Sequence, residues 1–436
     1  MSRLKPPKLN DAELVDSAKA FAKAFRDAAN LQIPPTRFAL GSCMSLGAAG
    51  VVEITSDVES TMAKLRTRAM KLLGSKAGHE HAIHQTLFKQ AHQSVISAQN
   101  PDEMAAALIK AVFDQGLITY DYVAPNHLFK FKSTKSIQIG SVRAMLISDL
   151  QTERQSAFPG GKVTLIPGDE YNMAFDADMV SITMKQLCWV VSVDAIAENV
   201  AEEAKWLIDV AVSLLRLSYS SWKGVPPATG HCEPHPIQKP IWQNEDVRFQ
   251  GQTILPGAVK MPPWYEIDLD VEEMVETSEF RTKATEIFSP SKNSLAARVG
   301  QGLGWLSRGR QSADRAERLL YFFTAIEALL SGTDKTAPVV QTITRHAAVI
   351  LSNNNVERQR YASVLKALYN LRSALVHNGT RDVDWTSANT AQIYAEALFI
   401  QILNNVSLSI QYDIFSNQIA VASYGLAWPP DHSASS

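Results

Sequence analysis

Between residues 288 and 407 apolar side chains recur every three to four positions, through five stretches separated only by short polar connections. The stretches are "NSLAARVGQGLGWL", "SADRAERLLYFFTAIEALLSG", "VVQTITRHAAVILS", "VERQRYASVLKALYNLRSALVHNG" and "SANTAQIYAEALFIQILNNV". That period gathers the apolar residues on one face of a helix. With connections this short, an antiparallel helical bundle is the simplest way to bury five such faces.

The other three quarters of the chain read differently. A chain of 436 residues exceeds what one core usually supports, about 250–300 residues, so several domains are expected. "DAELVDSAKAFAKAFRDAA" predicts a helix capped by Asn10 with Glu13 at the capping-box position. "VESTMAKLRTRAMKLLG" and "DEMAAALIKAVFDQGLI" predict two more. From about residue 120 the period shortens: "LFKFKS", "SIQIGSVRAMLISDL", "KVTLIP" and "MVSITMKQLCWVVSV" alternate or run β-branched between Gly- and Pro-rich turns. These predict a sheet, with "VAEEAKWLIDVAVSLLRLSYS" returning to helix. The tail "SIQYDIF" and "IAVASYG" suggests a strand or an irregular strap.

The expected architecture is therefore α+β and multidomain: a helical N-terminal region (1–118), a central α+β region with a mixed or antiparallel sheet (119–286), an all-α bundle (287–407) and a C-terminal strap with a flexible tail (408–436). Apolar content of 46% with 20% charge fits an ordinary soluble protein. No apolar run is long enough for a membrane span, and three scattered cysteines indicate neither a disulfide framework nor a cysteine-based zinc site; a cytoplasmic location is expected. Residues 287–407 carry thirteen Lys and Arg against eight Asp and Glu, within a chain of net charge −2. The basic excess is compatible with a nucleic-acid partner without establishing one.

The charged residues inside the bundle bear most on function. Tyr361, Val364, Leu365, Leu368, Leu371 and Leu375 trace the apolar face of the fourth helix, and Arg372 lies on its border. An arginine there needs a carboxylate, a phosphate or a path to water. Asn378 and Gly379 stop the helix and put His377 in its last turn, where the dipole favours imidazolium. Arg372 and His377 stand about 140° apart on an ideal helix, so a site using both needs a tightened turn, long side chains that bridge the angle, or a second subunit. Glu327, on the apolar "YFFTAIEALL" helix, needs a cation; Arg372 and Arg345 are the candidates. A helix-capping histidine and a purely structural ion pair fit the same residues.

"RAERLLYFFTAIEALLSG", "ITRHAAVIL" and "LYNLRSALVHNG" together resemble the HEPN superfamily, especially its Apea-like branch. "RSALVH" matches the family motif of an arginine, four to six residues and a histidine. The resemblance covers roughly residues 288–407. It implies a helical bundle that dimerises, and a metal-independent endoribonuclease in which Arg372 and His377 are catalytic and Glu327, Ser373, Asn378 and Arg345 supporting. RNA is the implied substrate, no cofactor is called for, and bacterial antiphage defence or a toxin-like role follows. Ser373 stands where active members often carry Asn, Asp or His, which leaves open a non-catalytic RNA-binding or scaffold protein. The N-terminal regions would then sense a regulatory or trigger ligand.

Three further clusters carry candidate ligands or contacts. "GHEHAIHQ" groups His79, His81 and His84, with His92 beyond; "GHCEPHP" groups His231, Cys232, Glu233 and His235. Neither has the spacing of a strong metal motif, so no metal is expected. "GQGLGWLSRGR" lacks the strand and the Lys-Ser/Thr pair of a phosphate loop, but Trp305, Arg308 and Arg310 are candidate RNA contacts through stacking and charge.

Overall fold

The computed structural model describes residues 11–30, 43–45, 51–74, 80–115, 118–132, 136–157, 163–176, 179–219, 232–239, 247–257, 265–331 and 339–429. The chain forms two compact units, Met1–Tyr122 with Ser192–Ala204, and Val123–Val191 with Lys205–Ser436. It is a mixed α/β protein with N-terminal helices, central mixed sheets and a C-terminal all-α bundle.

The first unit is built on helices α1 (Ala12–Asp27), α2 (Ser56–Leu73), α3 (Glu80–Ile96) and α4 (Pro101–Lys110), with short strands β1 (Ala29–Asn30), β2 (Cys43–Ser45) and β3 (Val51–Glu53). The cap of α1 is Asp11, whose carboxylate accepts from Leu14 N at 2.8 Å, while Asn10 lies outside the described residues. Asn100 and Glu103 close a full capping box on α4, with Pro101 in the first turn. Phe21, Phe25 and Phe88 meet at centroid distances of 5.5 to 6.2 Å within a core drawn from all four helices.

The division between the units falls within β4 (Ile118–Pro125). Strands β5 (Phe129–Phe131), β6 (Ile137–Ile139) and β7 (Val142–Leu146) follow, then α5 (Ile147–Ala157), β8 (Val163–Pro167), β9 (Asn172–Asp176), β10 (Met179–Met184) and β11 (Leu187–Ala195). One sheet runs β4-β11-β7-β6, with β7 antiparallel to both β11 and β6; another runs β8-β10-β9. Because β9 returns along the far side of β10, β10 lies parallel to β8. "LISDL", expected to extend a strand, instead opens α5: Ile147 and Leu150 are three apart and both buried.

Helix α6 (Val200–Ser218) precedes the hairpin β12 (Val247–Gln250) and β13 (Thr253–Pro256), and β14 (Tyr265–Ile267) then pairs parallel with β5. The remainder is helical: α7 (Leu269–Glu276), α8 (Ser278–Phe288), α9 (Leu295–Gln311), α10 (Arg315–Leu330), α11 (Val339–Leu351), α12 (Asn355–Asn378), α13 (Trp385–Asn405) and α14 (Tyr412–Ala422). The tail expected as strand or strap is thus mostly α14, which buries Tyr412, Phe415, Ile419 and Ala422 at helical spacing. Over so short a run alternation and helical period are hard to tell apart.

Helix α9 shows what its glycines are for. A Cβ on Gly302 would stand 2.1 Å from the Phe399 ring, and one on Gly304 2.5 Å from Trp206. The glycines are notches that let α13 and α6 approach, and the buried face of α10 closes against the same helix.

Candidate functional site

Helix α12 begins at Asn354, whose amide oxygen accepts from Val356 N and Glu357 N, and ends at Gly379 in the left-handed conformation (φ 67°). Gly379 N donates to Leu375 O at 3.1 Å, tying off the last turn. Between these stops lie 24 residues, of which only Arg358, Leu365 and Leu368 are buried. Leu371, Arg372, Ser373 and Leu375 are half-buried, and Val376, His377 and Asn378 are exposed.

Arg372 Nη2 donates to Glu327 Oε2 on α10 at 2.9 Å. Of the two cations expected for Glu327, it is therefore Arg372 that is taken, while Arg345 is exposed on α11. The guanidinium carbon also sits 5.9 Å from the centre of the Tyr369 ring, which meets Phe323 edge-on. Burial lifts the Glu327 carboxyl above its ordinary range, and Arg372 pulls against that rise. Arg372 Nε is enclosed without a hydrogen-bond partner among the described residues, so the arginine has donor capacity that Glu327 leaves unused.

His377 is on the free end of the same helix, exposed. On an ideal helix it stands about 140° round the axis from Arg372. Ser373 is half-buried beside Arg372, and Asn378 is exposed at the helix end.

The three candidate RNA contacts part company. Trp305 stacks on Tyr321 (5.7 Å, 19°) with Trp206 edge-on at 5.5 Å. Arg308 lies 4.8 Å over Trp206 and 3.5 Å from Asp209 Oδ2, with its side chain still 38% exposed. Arg310, in contrast, is buried: two residues on from Arg308 and about 200° round the helix, it points into the unit rather than to solvent.

Arg310 belongs to a buried polar network that single-residue inspection of the sequence did not anticipate. Its Nε donates to Glu233 Oε2 at 2.6 Å and its Nη1 to Glu396 Oε1. Arg216 Nη1 donates to the other oxygen of Glu396 at 3.2 Å, and Arg216 Nε to Tyr265 Oη, which in turn donates to Glu233 Oε2 at 2.7 Å. Arg318 joins through Gln392 Oε1 at 2.6 Å. Burial opposes the Arg310 charge, yet Glu396 and Glu233 hold its pKa above the ordinary value; burial and Arg310 together bring Arg318 down to about 10. The signal was the one that marked Glu327: Arg216 in "SLLRLS" and Glu396 in "YAEALF" are lone charges on apolar helices.

The histidine clusters resolve as ordinary contacts where they are described. His81 and His84 stack at 6.5 Å, with Arg66 Nη1 3.4 Å from His84 Nδ1; His92 lies further along the same helix, and His79 lies outside the described residues. Glu233 faces Arg310, His235 Nδ1 accepts from Ile237 N and Gln238 N, and His231 is outside the described residues. Among the described residues no group of three or more His, Cys, Asp or Glu is placed to hold a metal ion, and no helix is long and apolar enough to cross a membrane.

No protein-family model matches the chain, and neither a curated protein nor a solved structure does.

Proposed function

We propose that the protein is a metal-independent endoribonuclease of the HEPN type, with a site completed by two copies of the chain. The observation that carries this reading is the placement of Arg372 and His377 on α12. Arg372 is anchored by Glu327 with its side chain still 19% exposed, and His377 is exposed five residues on, about 140° round an ideal helix. A second copy of α12, packed on the half-buried Leu371, Leu375 and exposed Val376 edge, brings a second His377 towards Arg372. The resemblance of "RSALVH" to the family motif points to the same residues.

In that site His377 takes the proton of a ribose 2'-OH as the O2'–P bond forms. The P–O5' bond breaks, and the partner's His377, or the same ring in its protonated form, returns a proton to O5'. Arg372 stabilises the charge that builds on the phosphoryl oxygens, and Glu327 fixes its fork. The products are a 2',3'-cyclic phosphate and a 5'-hydroxyl. RNA is the substrate because DNA lacks the internal nucleophile. Arg308, half-exposed over Trp206, is placed to add charge to the RNA path. The N-terminal unit is the place for a trigger ligand, and an antiphage or toxin-like role follows from the resemblance.

A non-catalytic RNA-binding or scaffold protein is the second reading. It is favoured by the Arg372–Glu327 pair, which already neutralises the arginine, and by Ser373 following it. Incubation of total cellular RNA in EDTA with wild type and His377→Ala, with product ends mapped and mass recorded, separates the two. Cleavage by a wild-type dimer alone, leaving cyclic phosphate ends, supports the nuclease; RNA bound intact by both proteins supports the scaffold.

A further inference from the structure

A cluster of cations in the second unit has no role in the chemistry above. His127, in the turn between β4 and β5, lies with its Nδ1 3.4 Å from Lys185 Nζ, in the turn between β10 and β11. An ammonium has no lone pair and therefore donates, which makes Nδ1 the acceptor and leaves Nε2 as the N–H donor of a neutral ring. The turn is pinned: His127 N donates to Pro236 O at 2.9 Å, as does Trp189 Nε1 at 3.1 Å, bringing the segment that carries His235 and Lys239 against it.

Lys185 is half-buried, yet among the described residues no carboxylate stands within ion-pair distance of it. Its field is set by Asp169, which favours its charge, and Lys130, which opposes it. Among the described residues Lys239 meets Glu170, at 3.7 Å, with both side chains mostly in water (66% and 84% exposed). Burial, then Lys185, Lys239 and His235, hold the His127 ring down at about 4. Nearby, Asn126 is fully buried and its Nδ2 finds no acceptor among the described residues, although its Oδ1 accepts from Leu128 N and Phe129 N.

A half-buried ammonium with no carboxylate in ion-pair distance among the described residues is costly, and a bound anion offsets that cost. We propose that His127, Lys185 and Lys239 form a binding site for a phosphate monoester, with Lys185 and Lys239 supplying charge and His127 Nε2–H a directional donor. A monoester fits better than a phosphodiester because it carries close to two negative charges and three unsubstituted oxygens, matching two ammoniums and an imidazole. The site does not rest on the nuclease reading.

The test is titration of the full-length protein with inorganic phosphate and uridine 5'-monophosphate, followed through the carbon-13 signals of the His127 ring, assigned with His127→Gln. Both ligands are expected to move these signals saturably and to raise the pH at which the ring protonates. Lys239→Gln, at an exposed position, is expected to weaken binding about tenfold or more, as loss of one charged hydrogen bond implies. Lys185→Gln is expected to abolish binding, with circular dichroism checking that it folds. His127 signals unmoved by millimolar phosphate, or phosphate affinity unchanged in Lys239→Gln and a folded Lys185→Gln, would overturn the site. Tighter binding of the dinucleotide UpU than of the monophosphate would overturn the monoester assignment.

Discussion

Arg372 on α12 and Glu327 on α10 are joined by one 2.9 Å hydrogen bond, and both side chains are about four-fifths buried. The pair is enclosed enough to matter to the bundle and open enough to meet a ligand. Glu327→Ala leaves a largely buried guanidinium without this counter-charge and is expected to cost about 1–2 kcal/mol, at the low end for a buried pair because water still reaches it. Urea denaturation measures this; an unchanged midpoint would mean that the pair contributes nothing to the fold.

His377 offers the opposite case. It is exposed on the last turn, so His377→Ala is expected to change stability by no more than about 0.5 kcal/mol while abolishing RNA cleavage. Melting temperature and a cleavage assay on the same preparation give both quantities. Full cleavage by the variant removes His377 from the chemistry.

Within the buried network Glu396 is the critical position, because it accepts from both Arg216 and Arg310, which are 2% and 4% exposed. Glu396→Ala removes the carboxylate shared by two enclosed guanidiniums, leaving them Glu233 and Tyr265, and is expected to destabilise the second unit by about 3–5 kcal/mol. Glu396→Gln, keeping shape and an acceptor, should fall between it and wild type in denaturant midpoint.

Asp209 gives a pH signature. Burial raises its carboxyl to about 6, against hydrogen bonds from Gln311 (2.7 Å) and Ser307 (2.9 Å) and the charge of Arg308. A folded-state pKa above the unfolded value of 3.8 means that the native state binds the extra proton. This contribution is fully present below pH 3.8 and is lost as pH rises through about 6. Asp209→Asn should therefore gain on wild type between these limits, by an amount on the order of 2–3 kcal/mol. Parallel stability curves for the two proteins across that window would contradict the raised pKa.

Gly379 closes α12 at φ 67° with open space where a Cβ would go, so only backbone strain opposes a side chain there. Gly379→Ala is expected to cost about 1 kcal/mol and Gly379→Asn less, since Asn tolerates the left-handed region. Thermal denaturation of the two variants ranks them; equal values would point to a different helix end in solution.

The bundle helices were legible because 13- to 24-residue elements repeat their apolar period several times, and the Asn-Gly stop of α12 was legible because its chemistry is local. Short segments were not: "LISDL" and "SIQYDIF" hold too few residues to separate two periods, and the partners that decided them lie far along the chain. The same holds for the site. Glu327 and Arg372 were each marked as a charge in need of a partner, and the fold supplied the pairing across 45 residues. Arg310 is a candidate RNA contact by composition; α9 runs on to Gln311 and buries it, and only three-dimensional proximity reveals Glu233 and Glu396.

The Arg216–Glu396 contact spans 180 residues of chain. At ribosomal speed that is about 10–40 s of synthesis during which Arg216 has been made and its main counter-ion has not. The second unit is thus kept from locking until its penultimate long helix emerges. A message truncated before α13 yields a protein that has already buried much of its oil but lacks the carboxylate that Arg216 and Arg310 share, a state suited to capture by a chaperone or a protease rather than to premature activity.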